Sequence, residues 1–262
     1  IMENFTEVNQ PITPKKEIGS ILSHAFENFT GTFLYALVFV VIYLLAYFIF
    51  NGLLSFLIPG GGDYQNEVMR VMNDFVEDKK YDLNAITELQ NSLEAARTTA
   101  VMISEVISKS ITSALLAPLV VGIIYISYQF NAKKEVEFGD LFIGFRQNTA
   151  QIIIYGFITT ALIQAGLEIN MLIGMYLSFA FFIGLPIVFF ENTSAIEGIR
   201  KSFSLVHANF ITVLVLWLLA GIISSAGVLF CLVGVLFTFP FFFTARYSIY
   251  SAICGAPYKV KS

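Results

Sequence analysis

From Glu27 to Asp63 the chain runs through 35 residues without an Asp, Glu, Lys or Arg. A bilayer core about 30 Å thick is crossed by about 20 apolar residues in a helix. The segment Phe33 to Ile58, FLYALVFVVIYLLAYFIFNGLLSFLI, meets that length and leaves through the Gly-rich exit Pro59-Gly60-Gly61-Gly62. Four more charge-free gaps qualify: 23 residues between Lys109 and Lys133, 21 between Arg146 and Glu168, 22 between Glu168 and Glu191, and 44 between Lys201 and Arg246. The last is long enough for two helices turning near Ser224-Ser225-Ala226-Gly227, the second running past Arg246 toward Gly255. The expectation is six transmembrane helices.

Composition supports that reading. Hydrophobic residues make up 56% of the 262 and charged residues 13%, with a mean hydropathy of +0.75, against roughly 25% charged in soluble domains. A water-soluble globular domain and a disordered chain are both excluded. The net charge of -4 offers no basic face, so no nucleic-acid partner is expected. Cys231 and Cys254 are too few for a disulfide framework or a thiolate metal cluster.

Positive residues near span ends are retained on the cytoplasmic side. Ten lie on the side of the N-terminus, Lys15, Lys16, Lys133, Lys134, Arg146, Arg200, Lys201, Arg246, Lys259 and Lys261; Arg70, Lys79, Lys80 and Arg97 lie on the other. Both termini are therefore expected in the cytoplasm. No cleavable signal peptide is legible in the first thirty residues, so the first span would serve as the insertion signal.

Three segments resemble one another. The amphipathic runs EIGSILSHAFENF, FGDLFIGF and AIEGIRKSFSLV place apolar residues on one helical face. With Phe26, Phe145 and Phe203 aligned, a span starts seven residues later at Phe33, Ile152 and Phe210, and the second span of each pair carries one proline, Pro118, Pro186 or Pro240. The predicted fold is an all-α integral membrane protein built from three units, each an interfacial helix followed by a helical hairpin. A tail (1–14) precedes one six-span domain (15–262), whose first unit carries an extracytoplasmic helical insertion at about 63–106.

The runs FGDLFIGFRQNTAQIIIYGF, LPIVFFENTSAIEGIRKSFSLVHANFITVLVLWLLAGI and FPFFFTARYSIYSAICG resemble a broad group of uncharacterised bacterial six-span proteins. That group is similar to the membrane domain found ahead of some glycerophosphodiester phosphodiesterases. The resemblance covers about residues 15 to 255 apart from the insertion, and it implies a multi-pass protein of the bacterial inner membrane. The catalytic domain of those enzymes has no counterpart here, since the spans consume the chain.

In the insertion, Tyr64, Val68, Val71 and Phe75 recur at spacings of four and three, as do Ile86, Leu89, Leu93, Ala96, Ala100, Ile103 and Ile107. Such spacing is a coiled-coil seam. With no Pro or Gly between Asp82 and Pro118, the second helix is expected to run unbroken into the membrane. Leu93, Ala96, Ala100 and Ile103 are the candidate partner-binding residues, because small Ala96 and Ala100 would let another helix approach; packing of the two arm helices on each other is the alternative. Pro118, Pro186 and Pro240 are candidate kinks or pathway elements.

Reactive chemistry is scarce. Glu105 and Lys109 stand in the order that favours an ion pair, Glu168 and Glu191 fall at span ends, and His24 and His207 lie in amphipathic helices. No metalloprotease, nucleotide-binding or nucleophile-elbow motif is present. No catalytic, cofactor-binding or metal-ligating residue is therefore expected, and no enzymatic activity. The expected role is an accessory or scaffold subunit of an inner-membrane complex, in protein export or envelope assembly, with the bilayer and other membrane proteins as partners. The alternative is a transporter or channel for a small or lipidic substrate.

Overall fold

A computed structural model describes residues 11–58, 61–77 and 83–255. Residues 1–10 of the expected tail, and the Pro59-Gly60 and Asp82 positions, lie outside the described residues. Among these there are helices and no strand. In chain order they are α1 (Ile18–Gly31), α2 (Phe33–Leu57), α3 (Gly61–Glu77), α4 (Leu83–Ala96), α5 (Thr99–Asn131), a 3-10 helix (Phe138–Phe145), α6 (Thr149–Ile169), α7 (Met171–Ala180), α8 (Gly184–Phe190), α9 (Ala195–Ala208), α10 (Phe210–Ser225), a 3-10 turn (Ala226–Phe230), α11 (Cys231–Thr238) and α12 (Phe241–Cys254).

Among the described residues, five helical stretches are long and apolar enough to cross a bilayer: Phe33–Leu54, Thr99–Asn131, Thr149–Ile169, Met171–Phe190 and Phe210–Val228. The outer helices leave large apolar side chains uncovered, among them Leu45, Phe48 and Ile49 on α2 and Ile211 and Ile222 on α10. Apolar surface on that scale is stable against lipid and not against water. The chain is a multi-pass membrane protein. The segment expected to form a sixth crossing is divided into α11 and α12 at Phe239-Pro240, so neither piece reaches the length of the other five. Proline has no N–H to continue a helix and its ring collides with the carbonyl four residues back; Pro240 accordingly stands just before α12. Pro186 likewise sits in the first turn of α8 after the turn at 181–183, whereas Pro118 stays inside α5.

Burial sorts the helices into two layers. In α5, 83% of the most apolar window is buried within the protein, against 17% in α2 and 28% in each of α6 and α10. The three proline-bearing elements, α5, α8 and α12, touch one another at the centre, while α2, α6 and α10 pack outside them. Each amphipathic helix lies on the proline-bearing element that precedes it: the 3-10 helix on α5, and α9 on α8. The first such helix, α1, packs on the last element, α12, which closes the ring. Ala25 of α1 meets Ala220, Phe241 and Ala245 there.

The aligned phenylalanines are only partly buried, Phe26 against Phe241 and Phe203 against Tyr176. Phe26, Phe145 and Phe203 remain 41%, 48% and 40% exposed, whereas the residue before each, Ala25, Gly144 or Ser202, is buried. A small residue lets the helix backbone reach its neighbour; the Ser202 hydroxyl donates to the carbonyl of Ala180 at 2.9 Å. Thr32 and Asn209, six positions after Phe26 and Phe203, break α1 from α2 and α9 from α10. Both donate to the carbonyl four residues back, at 2.7 and 2.9 Å. Each central element also ends on a residue of positive φ: Lys133 (51°), Asn192 (52°) and Gly255 (84°).

The helix expected to run unbroken from Asp82 into the membrane is interrupted at Arg97-Thr98. The Thr98 side chain accepts from the Val101 N–H and starts α5 afresh. Arg97 is held at the break by Glu105 (2.8 Å) and by Glu168 at the end of α6 (2.5 Å). The expected Glu105–Lys109 pair forms at 3.3 Å within the same network.

Candidate functional site

Beside the three central elements, a partly open cavity of about 160 Å³ lies between α2, α5, α6, α7, α8 and α12. Its walls alternate apolar and hydroxyl groups. Tyr43, Ser113, Thr159, Thr160, Ser178 and Tyr155 supply the hydroxyls, and Ala117, Leu185 and Phe243 the apolar contacts. Several of these groups are already anchored. The Tyr155 phenol donates to the carbonyl of Phe181 at 2.6 Å, Thr159 to the Tyr155 carbonyl at 2.7 Å, and Thr160 to the Ser113 hydroxyl at 2.7 Å. Gly156 lets α6 reach α5 at this wall, since a Cβ there would lie 2.9 Å from the Ala117 methyl.

Arg246 is the charged residue of the cavity wall. It stands six residues into α12, eight before Cys254, so about 12 Å of helix rise separates it from that end. Its guanidinium carbon lies 4.8 Å from the centre of the Phe182 ring and 5.7 Å from that of Phe242. Its Nε is buried without a hydrogen-bond partner, and among the described residues no carboxylate comes within ion-pair distance. The neighbouring titratable side chains that act on it are Tyr155 and Tyr43, both neutral. The charge count placed Arg246 with the flanking cations of the cytoplasmic side; the structure places it on the wall of the cavity, half-buried as a residue with its Nε fully buried. The count missed it because one charge near the end of an apolar run reads as its border. The signal available was that α12 continues for two more turns of apolar and small residues.

The three prolines lie beside this cavity without lining it: Ala117 and Leu185, their neighbours in sequence, form the wall, and Phe243 follows Pro240 by three. The break at Arg97-Thr98 divides the candidate partner-binding residues, Leu93 and Ala96 on α4 from Ala100 and Ile103 on α5. Leu93 and Ala96 are half-buried on α4, with Ala96 facing the gap between α3 and α4, while Ala100 and Ile103 are exposed beyond the break. That gap has a volume of about 980 Å³ and carries Glu67, Arg70, Asp74 and Glu88 on its walls. Among the described residues no group of three or more His, Cys, Asp or Glu could hold a metal.

A second polar cluster joins α1, α5 and α12. His24 donates from Nε2 to the Ile12 carbonyl at 3.0 Å, while Nδ1 receives the Ser248 hydroxyl at 3.0 Å and the Asn28 amide at 3.2 Å. Asn131 donates to the Asn28 side chain and, at 2.8 Å, to the carbonyl of Ser127. Burial lowers the His24 pKa below 6.5, against the opposing pull of the Ile12 carbonyl, Asn131 and Glu27. The neutral ring is the form this network satisfies.

No family model, no curated protein and no solved structure matches the chain.

Proposed function

We propose that the chain is a six-span protein of the bacterial inner membrane, with both termini cytoplasmic, α11 and α12 together making the sixth crossing, and that it moves a small or lipidic substrate through the central cavity. Three repeated units, each an interfacial helix with a helical hairpin, account for the layout: three proline-bearing elements inside, three spans outside, and amphipathic helices passed from one unit to the next. Repeats and interrupted helices around a mid-membrane site are the architecture of many transporters. The observation that carries the transport reading is the cavity itself, partly open, bordered by six elements and walled with hydroxyls. A packed structural bundle has few voids larger than a water molecule, whereas this one has room for several.

The test is reconstitution into vesicles, following efflux of labelled acetate and phosphate and the flip of a fluorescent phospholipid. Ala117→Leu, which fills the cavity, should abolish whichever movement the wild type supports. Wild-type vesicles no faster than protein-free ones in all three assays would remove this reading.

The accessory-subunit reading draws on a different observation. The arm leaves Met69 60% and Leu83 83% exposed, apolar surface that another protein could cover. Replacing residues 63 to 98 by a Gly-Ser turn should then release a stoichiometric partner from the complex purified in mild detergent, and a wild-type protein that purifies alone would exclude it.

A further inference from the structure

We propose that the cavity is a binding site for one singly charged oxyanion, a carboxylate or a phosphodiester, held by Arg246. This rests on reading the cavity as a substrate site and names the substrate's chemistry. A cation inside a membrane protein is expensive and is normally paired; Arg246 has two aromatic faces against it and, among the described residues, no carboxylate within ion-pair distance. Ring faces lower the cost of a desolvated guanidinium without neutralising it. The remaining neutralising partner is an anion from outside the chain. The wall is matched to such a ligand: one positive charge, no carboxylate to repel it, and the hydroxyls of Tyr43, Ser113 and Ser178 available around it. A guanidinium pairs two oxygens of a carboxylate or phosphate in a fork that an ammonium cannot reproduce.

A cavity of about 160 Å³ admits the charged group of a small acid or a lipid headgroup and excludes a large polyanion. A substrate with two or more charges would leave the excess unpaired. The two sources of the same chemistry, a free anion and a phospholipid headgroup, are separated by experiment.

The full chain, purified in a neutral detergent, is titrated with acetate and with dimethyl phosphate at constant ionic strength while its unfolding temperature is recorded. In parallel, native mass spectrometry follows lipid retained after exposure to phosphatidylglycerol. Wild type should show a saturable rise in unfolding temperature with a soluble anion, or one retained phospholipid, or both. Arg246→Met should lose the response. Its unfolding temperature without anion should not fall, because the substitution removes an unpaired charge and keeps apolar bulk against Phe182 and Phe242. Arg246→Lys, which keeps the charge, should bind at least tenfold more weakly and guards against a misfolded first variant. A response to soluble anion alone assigns a free substrate, and lipid retention alone assigns a headgroup. No response in either arm, or an equal response in Arg246→Met, overturns the proposal. Binding without flux in vesicles leaves the anion site standing and removes transport; flux unchanged in Arg246→Met removes the anion site and leaves transport.

Discussion

Gly144 has no room for a side chain, because a Cβ on it would lie 2.3 Å from the carbonyl oxygen of Pro118. The contact is reciprocal along the same two elements: a Cβ on Gly122 of α5 would lie 1.9 Å from the Leu141 carbonyl. The 3-10 helix is thus set directly on the backbone of α5 around its proline, where the carbonyl of Ala114 has lost its usual partner to Pro118. The same kind of approach recurs where Gly198 of α9 meets Val188 of α8, with a Cβ distance of 2.2 Å to the valine side chain.

Gly144→Ala and Gly122→Ala should therefore each lower stability by about 1 to 3 kcal/mol, the usual cost of forcing atoms into a filled contact. Gly139→Ala, with nothing within 4 Å of the new atom, is the control and should be close to neutral. Unfolding in detergent monitored by tryptophan fluorescence decides it: equal midpoints for Gly144→Ala and Gly139→Ala would show that the 3-10 helix is not seated on Pro118.

His24 makes stability depend on pH in a defined direction. Burial lowers its pKa in the folded protein below 6.5, so between those two values the unfolded chain binds more protons than the folded one. Stability from the neutral ring is complete above about pH 7 and is lost as the pH falls below 6.5. The unfolding temperature should drop between pH 7.5 and 5.5, and His24→Gln should flatten that drop. An identical pH profile in the variant would contradict the assignment.

Arg97 bridges two carboxylates that belong to different spans, and Arg97→Gln should leave Glu105 and Glu168 facing one another without it. Partly exposed pairs are worth about 1 kcal/mol or less each, so the expected loss is about 1 kcal/mol at low salt. The measurement is the difference in unfolding temperature at 20 mM and 1 M NaCl, test concentrations at which screening goes from weak to nearly complete. A loss that does not shrink in high salt would mean that Arg97 acts by packing.

Topology is open to single introduced cysteines on intact cells. Asn73 on α3 and Glu135 after α5 are both exposed side chains. Asn73→Cys should react with an impermeant maleimide from outside and Glu135→Cys only after permeabilisation; the reverse pattern inverts the proposed orientation.

The location in a membrane was legible in the sequence, since span length and the absence of charge are local properties and each gap can be measured by itself. The proline period and the small residue before each aligned phenylalanine were equally present as letters. Which of the two neighbours is buried was not: Phe26 and Ala25 differ by one position on a helix, and only packing on α12 buries Ala25 with Phe241 and Ala245 while leaving the Phe26 ring half-exposed against Phe241. At the break at Arg97-Thr98 the Thr98 cap is local, but the Glu168 that holds Arg97 stands 71 residues away, and no local pattern announces such a partner. Arg246 shows the division most sharply. One arginine inside an apolar stretch reads as the border of a span, because sequence records how many charges a segment carries and says nothing about what stands beside them. Its place against Phe182 and Phe242, with no carboxylate within ion-pair distance among the described residues, arises only when the turn before α8 and α12 are brought together across more than fifty residues of chain.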